Sequence, residues 1–139
     1  MKKYTNANHL INEPKYSADA RRPQLLRIEF STEHTKFDFG YQATSYYTKG
    51  GWVRIHKNTF IRIKATGEKF TLIRAANIPI TPIHHNFKTT KDWLYFSLYF
   101  PAIELKNGKI DLIEADPRAK NNFNYFDIII DTKKSIELM

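Results

Sequence analysis

From Gln24 onward, apolar and polar residues alternate with a period of two, the pattern of strands that bury one face. Leu26, Ile28 and Phe30 fall on one side, with Arg27 and Glu29 opposite. Phe37, Phe39, Tyr41 and Ala43 repeat the pattern against Asp38, Gly40 and Gln42. Lys49-Gly50-Gly51 predicts a turn, since glycine takes positive φ without steric cost. Trp52 to His56 then sets Val53 and Ile55 against Trp52, Arg54 and His56, and Thr59 to Lys64 sets Ile61 and Ile63 against Phe60, Arg62 and Lys64. Ala65-Thr66-Gly67-Glu68 predicts a hairpin turn into a returning strand over Lys69 to Arg74.

Ala75 to Thr90 is the longest irregular stretch. Pro79 and Pro82 each remove a backbone donor there, so Ile78 to Ile83 reads as an edge segment at best. Asp92 to Phe100 resumes the alternation, with Leu94, Phe96, Leu98 and Phe100 inward and Trp93, Tyr95, Ser97 and Tyr99 outward. Lys106-Asn107-Gly108-Lys109 predicts a further turn, Ile110 to Ala115 a short strand and Asp116 to Asn122 a polar loop. Phe123 to Ile130 is the last strand, and its Phe126 to Ile130 run reads as buried on both faces.

Seven to eight short strands separated by frequent turns, with no amphipathic helix, predict an all-β protein: a single antiparallel sandwich or barrel. Residues 1–23 carry Pro14 and Pro23 and little apolar periodicity, so they read as an extended or flexible N-terminal arm. The β domain is expected over 24–131, and the tail over 132–139 adds a helical turn.

A chain of 139 residues supports one domain. It contains no cysteine, which excludes a disulfide framework, a thiol nucleophile, an iron–sulfur cluster and cysteine-ligated zinc. No apolar run is long enough for a membrane-crossing helix. Lys2 and Lys3 are followed by the polar YTNANHLINE segment, so the chain as given carries no export signal; a chain starting after a removed signal would look the same.

Gly51-Trp52-Val53-Arg54-Ile55, followed by Gly67-Glu68-Lys69-Phe70-Thr71-Leu72, is similar to modules common in Bacteroidota envelope proteins. Those are immunoglobulin-like β-sandwiches of unknown function, often found ahead of a thioredoxin-like domain. Tyr99-Phe100-Pro101-Ala102-Ile103, Lys109 to Glu114 and Phe126-Asp127-Ile128 extend the likeness, which spans roughly Leu25 to Ile130. The resemblance implies an immunoglobulin-like sandwich with no catalytic residue to carry over. It implies a periplasmic or cell-envelope location if a signal was removed, and a cytoplasmic one otherwise. The chain departs from the pattern at Ala115, where a glycine is typical, and it contains no thioredoxin-like domain.

The residues suggest little catalytic chemistry. His84-His85 would point to opposite faces of a strand, and His9, His34 and His56 lie far along the chain, so solvated loop histidines compete with a metal site. Asp111, Glu114 and Asp116 form a small acidic cluster, for which a calcium site competes with a turn in which Asp116 accepts backbone bonds. The serines lack a Gly-x-Ser-x-Gly context, and five glycines make no phosphate-cradling loop. No catalytic residue, metal or cofactor is therefore expected.

Charge changes the picture more. The chain carries a net +8, and the excess is asymmetric: residues 1–90 hold 15 basic and 6 acidic residues, residues 91–139 hold 7 and 8. Trp52, Arg54 and His56, with Phe60, Arg62 and Lys64, make a basic-aromatic strip, with Trp52 as anchor and Arg54 and Arg62 as charge partners. Such a strip suits a protein or glycan partner, and equally single-stranded nucleic acid. A solvated face whose charges discourage edge-to-edge aggregation is the plain alternative. Trp93, Tyr95 and Tyr99 form a second surface, to be covered by loop 75–90 or by a ligand. The leading expectation is a non-enzymatic interaction module. A nucleic-acid-binding barrel of the oligonucleotide-binding kind is the alternative, and an enzyme on a sandwich scaffold comes third.

Leu26, Ile28, Phe39, Val53, Ile55, Leu98, Phe100, Leu112 and Ile128 are the expected core. Phe100→Ala is expected to cost about 3–5 kcal/mol in chemical denaturation; a loss below about 1 kcal/mol would mean that the strand faces are reversed.

Overall fold

The computed structural model describes residues 8–18, 23–43, 52–81, 83–116 and 123–138. The turn expected at Lys49-Gly50-Gly51, Pro82, residues 117–122 of the expected polar loop, and residues 1–7 and 19–22 of the expected arm lie outside them. In chain order the strands are β1 (Asn8–Asn12), β2 (Ser17–Ala18), β3 (Gln24–Phe30), β4 (His34–Gln42), β5 (Trp52–Val53), β6 (Phe60–Ile63) and β7 (Lys69–Thr71). They continue with β8 (Arg74–Ala76), β9 (His85–Asn86), β10 (Trp93–Pro101), β11 (Gly108–Ile113), β12 (Tyr125–Ile130) and β13 (Ile136–Leu138). Among the described residues there is no α-helix, only a 3₁₀ turn at Thr132–Lys134, and no helix long and apolar enough to cross a membrane. Among the described residues thirteen strands are assigned, several of them two- and three-residue pieces such as β2, β5, β8 and β9 that are too short to show a period in the sequence.

A six-stranded sheet runs β13-β1-β3-β4-β10-β8 and a five-stranded sheet runs β2-β12-β11-β6-β7; β5 and β9 form a separate pair. Every ladder between strands is antiparallel. Both large sheets turn their apolar faces into one core that includes Ile28, Phe37, Phe39, Leu98 and Phe100 from the first and Ile61, Ile110, Leu112 and Ile128 from the second. The protein is all-β with antiparallel sheets, an arrangement consistent with a β-sandwich.

Eight of the nine expected core residues are buried; Leu26 is not. Leu25 pairs with Phe39 and Arg27 with Asp38, which makes Leu26 the extra residue of a bulge and reverses the phase of the strand before it. Leu25 takes the core position instead. The Phe126 to Ile130 run is also not buried on both faces, since Ile129 is exposed while Ile128 and Ile130 point inward.

The first and last described segments are built into the sheets. Asn8–Asn12 lies between β3 and β13, with Ile11 buried against the core, and Ser17–Ala18 pairs with the end of β12. Ile136–Leu138 closes the far edge beside β1. The expected arm and tail thus supply three strands, short ones in which only Ile11 is buried, so no period is visible there.

Tyr125 joins the two sheets. Its ring meets Phe39 of the other sheet at 5.4 Å and Tyr16 at 5.3 Å. Its hydroxyl donates to the carbonyl of the buried Pro23, and burial pushes its ionisation well above the usual tyrosine range. Tyr125→Phe is expected to lose about 1–3 kcal/mol in urea denaturation while keeping the fold, because the Pro23 carbonyl loses its partner away from water.

Candidate functional site

The β4–β10 ladder is unbroken over nine residue pairs, from Trp93↔Gln42 to Pro101↔His34. Side chains alternate across such a ladder, so the pairs Phe96↔Phe39, Leu98↔Phe37 and Phe100↔Thr35 face the core. The intervening pairs, Tyr95↔Gly40, Ser97↔Asp38 and Tyr99↔Lys36, face outward. Neighbouring ladders extend one outward row across five strands: Asn12, Arg27, Asp38, Ser97 and Ala76.

Asp38 is the centre of this row. It is buried against the sheet, and it accepts from Arg27 Nε at 2.7 Å and from Ser97 Oγ at 2.5 Å, with Lys36 Nζ at 3.6 Å. One carboxylate thus orients two cations and a hydroxyl. Beside the row, the Tyr95 ring rests on Gly40, where a Cβ would lie only 3.2 Å from Tyr95 Cε1. Trp93 stacks beside Tyr95 at 5.8 Å between ring centroids and 9° between planes. The result is an open groove of about 480 Å³, lined by Asn12, Arg27, Lys36, Asp38, Tyr95 and Ser97 among others.

The cover expected from loop 75–90 reaches only part of this face. Arg74 lies 3.7 Å from the centroid of the Tyr99 ring, and Lys36 and His34 also border that ring. Trp93 and Tyr95 stay 48% and 59% exposed, although Asn77 donates to the Tyr95 carbonyl.

The six residues of the basic-aromatic strip are divided between two sheets. Trp52 begins β5, and Arg54 and His56 follow it; Phe60 and Arg62 lie on β6, and Lys64 directly after it. Trp52 is half-exposed, between Arg54 at 4.8 Å and His84 at 4.7 Å. The amide of His56 donates to Glu114, and its ring Nδ1 accepts from the Asn58 amide. The Phe60 ring is covered by Lys69 Nζ at 5.0 Å. Arg62 and Lys64 both bind the fully buried Asp111, at 3.0 and 3.3 Å, and Lys64 also reaches Asp127.

The acidic trio is buried rather than solvated. Asp111 fills a bulge: Ile110 pairs with Ile128 and Leu112 with Tyr125, and the extra residue Asp127 donates its amide to Asp111. Burial pushes the Asp111 carboxyl up, but the Asp127 amide, Arg62 and Lys64 together outweigh it and hold the group below the ordinary value. Glu114 accepts from the His56 and Phe123 amides, yet burial prevails and raises its pKa. The two adjacent histidines go separate ways, His84 onto Trp52 and His85 onto Phe87. No group of three potential metal ligands converges among the described residues.

Arg27 and Asp38 were legible only as outward polar positions, while Asn12 fell in the expected arm and Lys36 was not assigned to a face, because their convergence depends on registers between distant strands. Fold and site together describe an antiparallel all-β protein with a polar, aromatic-edged groove on one sheet face. Compared with family models, curated proteins and solved structures, the chain gives no match.

Asp111 supplies the pH prediction. Its folded pKa lies below its ordinary 3.8, so its stabilisation is present above that value and fades as the pH falls through the folded pKa. Asp111→Asn is expected to lose about 2–3 kcal/mol at pH 7 by urea denaturation. The gap to the parent protein is expected to narrow below pH 3.8.

Proposed function

We propose that this protein is a non-enzymatic interaction module, an immunoglobulin-like sandwich akin to the envelope modules its sequence resembles. Its contact surface is the outer face of the six-stranded sheet. The observation that carries this reading is the groove. Two large, near-parallel rings stand half-exposed beside a row of oriented polar groups. Exposed Trp and Tyr side chains bury much area at small entropic cost when a partner covers them. The carboxylates that could serve acid–base chemistry support the same reading, since Asp111 and Glu114 are taken up by amides and ion pairs that hold the strands together.

The nucleic-acid alternative draws less support. Arg62 and Lys64 are compensated by Asp111 and Asp127, which lowers the positive potential the strip offers a phosphate. Trp52 between Arg54 and His84 remains a stacking platform and serves as the comparison surface.

The test is retention of material from a whole extract by the immobilised protein, with protein, glycan and nucleic acid each assayed in the eluate. Trp93→Ala/Tyr95→Ala is expected to abolish retention with little change in melting temperature, while Trp52→Ala/Arg54→Gln retains the parent's material. Loss confined to the second variant, or equal retention by all three proteins, would overturn the assignment of the face.

A further inference from the structure

We infer that the groove takes a linear glycan, its sugar rings laid on Tyr95 and Trp93 and its hydroxyls bonded by the Asn12–Arg27–Asp38–Ser97 row. This rests on the reading of the outer sheet face as the contact surface, and it names the occupant.

The chemistry of the row discriminates among ligands. A sugar hydroxyl both donates and accepts, and a pyranose ring has an apolar C–H face that packs on an aromatic plane. The groove offers both halves of that pattern side by side. Asp38 is an acceptor, Arg27 and Lys36 are donors, Ser97 gives its proton to Asp38 and so presents an acceptor, and Asn12 can be either. The groups come with fixed geometry, because Asp38 holds Arg27, Ser97 and Lys36 from beneath. Preorganisation of this kind lowers the ordering cost of binding, which matters most for a ligand bound by many weak polar contacts.

A phosphate chain is acceptor-only, and in this row it would meet the Asp38 carboxylate at the centre, with Glu29 on the next outward row beside Lys36. A peptide that joins a sheet uses the unpaired main chain of an edge. The groove instead lies across the faces of β1, β3, β4 and β10, each paired on both sides, and meets the edge strand β8 only at Ala76. Local charge is almost balanced, with Arg27 and Lys36 against Asp38, which suits a ligand of low charge density. At strand spacings of about 4.8 Å, a row over five strands runs for about 19 Å, room for several sugar units rather than one.

The experiment uses a printed array of neutral and uronic-acid oligosaccharides, with a dT oligonucleotide as the competing class. The best-bound saccharide is then followed by tryptophan fluorescence and amide chemical shifts. The expected result is saccharide binding that persists between about 0.05 and 0.5 M salt, since few charges are involved. Amide shifts are expected to centre on Tyr95, Ser97 and Lys36. Trp93→Ala/Tyr95→Ala is expected to weaken binding at least about tenfold, the equivalent of one good ring contact. Asn12→Ala, an exposed position at the end of the row, is expected to weaken it by a smaller factor without altering the fold. No saccharide bound on the array, binding of the oligonucleotide alone, or saccharide binding indifferent to both variants would overturn the inference. If the array is blank while the ring variant still loses a protein from the extract, the contact face stands and the glycan does not.

Discussion

Nine consecutive residue pairs join β4 to β10, and each pair commits two side chains to the same side of the six-stranded sheet. Inward, this stacks Phe39 on Phe96 and sets Phe37 edge-on to Phe100. Outward, the same register sets Ser97 on Asp38, lays Tyr95 over Gly40 and brings Lys36 to Tyr99. A slip of one residue would carry the whole aromatic set into water and the charges into the core, so burial of the phenylalanines fixes the register. The groove is the other side of that constraint. Its polar groups meet because the apolar groups behind them have no alternative arrangement.

Buried carboxylates fix what the apolar pattern leaves open. Asp111 marks where β12 carries one residue more than β11, and its acceptance of the Asp127 amide holds that residue at a φ of 52°. Aspartate tolerates the left-handed region better than most residues. Glu114 then ties the amides of His56 and Phe123, so the segment after β5 and the approach to β12 meet on one side chain. Next to it Ala115 has a φ of 54°, the conformation glycine accepts most readily. Two cations of the positive strip, Arg62 and Lys64, serve this bulge.

The all-β class and most of the core could be read from alternation alone, because Phe37 to Ala43 and Leu94 to Phe100 each keep one phase over a full strand. Alternation failed where the backbone departs from it. At Leu26 the bulge inserts a residue, and at Ile129 a β-branched run hides an outward position. It was silent for Asn8–Asn12 and Ile136–Leu138, whose place depends on partners more than a hundred residues apart in the chain. The site was harder still. Arg27, Asp38 and Ser97 were individually visible as outward positions and Asn12 was not; the four come from four strands, and only the pairing registers show that they share a row. Charge counting pointed instead to Arg62 and Lys64, because composition cannot tell a cation facing solvent from one neutralising a buried acid.

The groove's polar groups stand on a sheet face rather than on loops, and this has a physical consequence. A loop must be ordered when it binds, whereas groups on a six-stranded ladder are held by main-chain bonds that already stabilise the fold. Gly40 shows how narrow the construction is. Without a side chain it lets the Tyr95 ring lie against the sheet; with one, contact at 3.2 Å would lift the ring and break the line it forms with Trp93. Phe39 and Phe96, on the opposite face of the same strands, would be untouched by that change. Core and platform are set by one register yet lie on opposite faces, so the outer face is free to vary its chemistry while the inner face keeps the fold.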